Sequence, residues 1–155
     1  MARAEIAVSV DIDAPVETVW TEVMDWESQG EWMMGTDVRV THGDGVSPGT
    51  RVAAFTGVGP LGVTDHIELV GWDPPHRATV RHVGRIIRGS GVFTVAERRT
   101  DDGREASTFT MSEYLDLPLG PLGALGWPLV RPVFVWGLQR SLQELARRCE
   151  RDAAR

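Results

Sequence analysis

The sequence has no lysine. All 16 of its basic residues are arginine, set against 22 Asp and Glu for a net charge of -6 over 155 residues. The missing lysine excludes Schiff-base chemistry, pyridoxal phosphate attachment and a Walker-type phosphate lysine. The acidic balance argues against a nucleic-acid partner. With one cysteine, Cys149, there is neither an intramolecular disulfide nor a multi-cysteine metal site. The first residues lack the apolar run of a signal peptide, so a cytoplasmic location is expected. The arginine-only basic set with abundant glycine and alanine fits a GC-rich bacterial genome.

The chain has the length of one ordinary domain, 1–155, and no linker or repeat divides it. Ile6, Val8, Val10 and Ile12 alternate with polar residues, as on a half-buried strand. Asp13-Ala14-Pro15 opens a helix, because proline near the first helical position loses no hydrogen bond. Val16, Val19, Trp20 and Val23 then form one apolar stripe, and a second short helix covers Asp25–Met33. Six further strands follow, over residues 36–41, 51–56, 63–72, 77–83, 86–97 and 105–115. The turns between them favour consecutive antiparallel pairing.

Residues 117–138 carry one charge, Arg131, with four prolines and four glycines. Within this stretch, the small and apolar residues of 117–130, with prolines fixing the turns, predict an ordered flap: a lid, a patch for transient membrane contact, a dimer interface or a cavity plug. Past Pro132 a helix is predicted, with Phe134, Leu138, Leu142, Leu145 and Cys149 on its apolar stripe and Glu144 paired with Arg148.

This order of elements resembles the START-like superfamily, also called Bet v 1-like or the polyketide cyclase/dehydrase and lipid transport group. The carriers are Ile12-Asp13-Ala14-Pro15 followed by Val19-Trp20, then Glu31-Trp32, Gly49, the corner Asp73-Pro74-Pro75, and Ser141-Leu142 with Leu145. The resemblance implies an α+β helix-grip fold: a curved antiparallel sheet of about seven strands wrapped around a long C-terminal helix. It also implies a cavity for an apolar small molecule.

Strand parity adds detail. The face that buries Phe93 and Val95 also turns Gly89 and Gly91 inward, which marks either sheet curvature or ligand space. Glu113 shares a side with Phe109 and Met111, Asp65 with Val63 and Ile67, and His82 with Ala78 and Val80. Three polar groups therefore converge on an apolar chamber, unless a slip of one residue turns them all to solvent. Asp65, His82 and Glu113 are the candidates for proton transfer. Trp26, Trp32, Phe93, Phe109, Met111, Trp127, Val130, Phe134 and Leu138 complete the expected ligand contacts. The four histidines show no metal-ligand spacing, and neither a metal nor a cofactor is expected. Three functions follow: binding of a lipid, isoprenoid or polyketide; an aromatase/cyclase-type enzyme; or a protein-interaction module.

Overall fold

The structure is a computed structural model that describes residues 2–155. Ten elements follow in order: β1 (Arg3–Ile12), α1 (Val16–Met24), a 3-10 turn (Trp26–Glu31), β2 (Thr36–His42), β3 (Arg51–Val58), β4 (Leu61–Asp73), β5 (Arg77–Val83), β6 (Arg88–Arg99), β7 (Glu105–Asp116) and α2 (Pro121–Ala153). The strands form one antiparallel sheet in the order β1-β7-β6-β5-β4-β3-β2. Each strand from β2 to β7 pairs with its sequence neighbour, and β1 closes onto β7. This is the helix-grip arrangement.

The core lies where α1 and the second half of α2 meet the sheet. Ile6, Val8 and Ile12 bury one face of β1, as their alternation predicts. They meet Val19 and Val23 of α1 and Leu142, Leu145 and Cys149 of α2. Trp20 packs against Trp72, ring centroids 5.1 Å apart. Arg148 ties three elements together, with Nε 2.8 Å from Glu22 on α1 and a terminal nitrogen 2.6 Å from Glu31 at the end of the 3-10 turn.

Two expectations need correction. The predicted Glu144–Arg148 pair does not form: Glu144 takes Arg147 and Arg151, because Arg148 turns inward to the two carboxylates behind it. The predicted flap is not a separate element either. The final helix begins at Pro121, eleven residues before the position its proline content suggests, and Pro128 and Pro132 lie inside it. Each proline removes one backbone donor. The carbonyls left over belong to Ala124 and Pro128, both exposed residues.

Helix α2 is thus two different objects along one axis. From Ser141 onward it buries Ser141, Leu142, Leu145, Ala146 and Cys149. Before Ser141 it has no buried residue, and Leu122, Leu125, Leu129, Val130, Val133 and Trp136 are exposed. No helix among the described residues is long and apolar enough to cross a membrane.

Candidate functional site

A cavity of about 510 Å³ lies between the first half of α2 and the inner face of the sheet. Phe134, Gly137, Leu138 and Ser141 cover it from α2. Trp26, Gln29, Met33 and Met34 close one side, and the floor comes from β3 to β7. Trp26 is held in place by donating its indole N–H to the Gly45 carbonyl at 2.7 Å. That carbonyl belongs to the glycine-rich β2–β3 loop, which an Asp44 turn organises through Val46 N–H and the Ser47 hydroxyl. The loop is a strut for the wall and not part of the lining.

Asp65, His82 and Glu113 come together on the floor. His82 Nδ1 is 2.8 Å from Asp65 Oδ2, and His82 Nε2 is 2.8 Å from Glu113 Oε2. The sheet register explains both contacts. His82 of β5 faces Ile67 of β4, and Asp65 lies two residues from Ile67 on the same face. Glu113 sits two strands away on β7, so β6 separates it from His82. At that place β6 presents Gly89 opposite His82, and Gly91 between Val80 and Glu113. A Cβ at Gly91 would stand 3.0 Å from Glu113 Oε2 and 3.0 Å from Val80 Cγ2. At Gly89, where φ is 129°, it would collide with the Tyr114 carbonyl. The glycines leave open the passage that the imidazole and carboxylate cross.

The electrostatics follow from the hydrogen bonds. Each of the two short contacts contains a proton, so the three groups hold at least two protons, and with those two alone they carry a net charge of -1. Burial opposes charge on His82, whose side chain is 5% exposed. The flanking carboxylates outweigh that cost and push its pKa up to about 10. Glu113 is raised by burial against the opposing pull of His82. Asp65 Oδ1 is buried with no hydrogen-bond partner.

Of the expected ligand contacts, Trp26, Phe93, Met111, Phe134 and Leu138 line the cavity together with Asp65, His82 and Glu113. Four others do not. Phe109 is fully buried and stacks on Phe93 at 6.3 Å; it pairs with Val10 and Val95, one step toward the packed end of the sheet. Trp32 is buried in the core, its indole nitrogen without a partner. Trp127 packs against Phe134 from behind, ring centroids 6.2 Å apart. Val130 is 55% exposed, because the helix that contains it turns that side to solvent.

Gln29, Met33, Thr36, Thr56 and Ser141 line the cavity without having been expected there. Only Ser141 left a usable signal: Phe134, Leu138 and Ser141 recur at i, i+4, i+7 on one helical face. Among the described residues no group of three or more His, Cys, Asp or Glu side chains is arranged to hold a metal ion.

The comparisons agree with this architecture. TTHA0849 from Thermus thermophilus superposes with a TM-score of 0.71 at 20% identity, over 94% of this chain and 97% of its own. An aromatase/cyclase from Streptomyces sp. R1128 also reaches 0.71, at 16% identity over 97% and 95% of the two chains. The di-domain ARO/CYC BexL from the BE-7585A biosynthetic pathway matches at 0.68 and 17% identity, over 96% of this chain and 50% of its own. Likeness at that identity concerns the fold alone. No curated protein matches the sequence. The family model for polyketide cyclase/dehydrase and lipid transport proteins matches residues 3–150, and the chain belongs to that family.

Proposed function

We propose that the protein binds an apolar small molecule inside the sheet–helix cavity, with the Asp65–His82–Glu113 cluster fixing its polar end. The observation that carries this reading is the cavity itself, about 510 Å³ and walled chiefly by apolar side chains from β3, β4, β6, β7, α2 and the segment Trp26–Met34. That volume lies in the usual range for small-molecule sites. Burial of ligand surface at ~25 cal/mol per Å² supplies the affinity, and a few polar contacts supply the orientation.

A second reading is an enzyme of the aromatase/cyclase type, in which a cavity carboxylate moves protons on the ligand. The buried Glu113, raised by desolvation, favours it. The hydrogen bonds of His82 weigh against it: both ring nitrogens are committed, so the imidazole offers no free lone pair to act as base.

Native mass spectrometry of freshly isolated protein tests the binding reading, and the expected result is a co-purifying apolar molecule. Uptake of a neutral fluorescent probe such as phenylnaphthylamine is the second measurement. Ala54→Trp, which fills the cavity from β3, is expected to abolish that uptake in a folded protein. Unchanged uptake in Ala54→Trp would remove the cavity from the explanation. Glu113→Gln separates the enzyme: loss of turnover on a trial poly-ketone with retained affinity would favour catalysis.

A further inference from the structure

Every polar side chain of the cavity wall can be followed to its partner. The Trp26 indole N–H goes to Gly45 O at 2.7 Å, and Gln29 Nε2 donates to Val23 O at 2.7 Å. Ser141 donates its hydroxyl to Gly137 O at 2.9 Å and accepts Met34 N–H at 3.0 Å. The Thr36 and Thr56 hydroxyls bond to each other at 2.9 Å. His82 spends both ring nitrogens on the two carboxylates. No arginine lines the wall, and the chain has no lysine.

The balance is one-sided. At the cluster itself the donors are consumed while an acceptor is left over: both ring nitrogens of His82 are spent on the carboxylates, and Glu113 engages only one of its two oxygens. The ionisable groups of the lining are two carboxylates and one imidazole, with no guanidinium or ammonium among them. A carboxylate or phosphate brought to the cluster would meet two carboxylates whose one imidazole is already spent between them, with no arginine or lysine in the lining to hold it. Such burial of an unpaired charge is strongly unfavourable. A ketone or ether oxygen would face lone pairs. A hydroxyl or an amine would supply the donor that the cluster lacks.

We propose that the cavity selects ligands with a hydrogen-bond-donating head, a hydroxyl or an amine on an apolar body, and rejects free fatty acids and phosphorylated lipids. This rests on the binding reading above and narrows it to a chemical class. The selectivity resides in the Asp65–His82–Glu113 cluster; the apolar wall is indifferent to the head group.

A matched series displacing phenylnaphthylamine from the wild-type protein tests this: decanol, decylamine, methyl decyl ether and decanoate, at mildly alkaline pH where the acid is ionised. Decanol and decylamine are expected to compete at least about tenfold better than the ether or decanoate, the size of one unmade buried hydrogen bond. Asp65→Asn, which introduces an amide donor, is expected to narrow the gap between decanol and decanoate. Should that variant fail to fold, the wild-type series stands alone. Decanoate binding as tightly as decanol overturns the head-group inference while leaving the cavity as a binding site. Failure of the probe itself to enter overturns the binding reading, and the inference falls with it.

Discussion

His82 and Glu113 belong to strands that do not touch, yet their side chains meet at 2.8 Å across the bare backbone of Gly91. The contact depends on an absent side chain as much as on the two present. A methyl group at Gly91 would press on a flexible carboxylate on one side and on Val80, which is fully buried, on the other. Gly91→Ala is therefore expected to push Glu113 off the imidazole and leave a buried hydrogen bond unmade. The cost should be about 1–3 kcal/mol in urea unfolding. The NMR titration of His82 should move down toward that of an ordinary imidazole; an unchanged titration would show that the passage is wider than the geometry requires.

The same cluster gives stability a definite pH dependence. His82 is held at about 10 in the fold against 6.5 when free, so the folded chain binds the extra proton. Its contribution is complete below about 6.5 and is lost as pH rises through about 10. Glu113, also raised, acts in the same direction. Thermal midpoints are expected to fall progressively between neutral pH and pH ~10. His82→Gln should flatten that slope.

Arg148 and Arg147 are neighbours in sequence and differ in what they hold. Arg148 joins Glu22 and Glu31, and Glu22 is only 14% exposed; Arg147 pairs with Glu144 at the surface. Arg148→Ala strands a mostly covered carboxylate and is expected to cost about 1–3 kcal/mol in denaturant unfolding. Arg147→Ala should cost no more than about 0.5 kcal/mol. Equal costs would remove the tie between the two helices from the account of stability.

Cys149 is fully buried, and burial pushes its thiol up to about 12. A thiol in that state is not a nucleophile. Ellman's reagent should leave the folded protein unlabelled and react with one thiol per chain after denaturation. Rapid labelling under native conditions would contradict the burial.

The sheet was legible in the sequence because its strands alternate and its turns are marked by Gly, Pro and Asp. The register that places Asp65, His82 and Glu113 on one face follows from that alternation. Their mutual contact does not: parity says which side a residue faces and nothing about reach across an intervening strand, and the inward Gly89 and Gly91 read equally well as curvature. The start of α2 was hidden by Pro128 and Pro132, since proline's local preference is against helix and only solvent exposure of the freed carbonyls makes it tolerable. Val130 and Trp127 were misplaced for the same reason. A segment taken for a flap presents different residues to the cavity than a helix does.

Amide hydrogen exchange should divide α2 at about Ser141. Amides before it, where nothing is buried, are expected to exchange well ahead of those from Leu142 to Cys149, whose opening requires the core to come apart. Uniform protection along the helix would mean that the partly buried Trp127, Val135 and Leu138 hold the first half as firmly as the core holds the second.

That division gives one rod two duties, anchor and shutter. The anchored end stays clamped to β1 and α1, while the other meets the core through the partly buried Trp127, Val135 and Leu138. The dwell time of any guest beneath the shutter would then be set by a local opening and not by the loss of the whole fold.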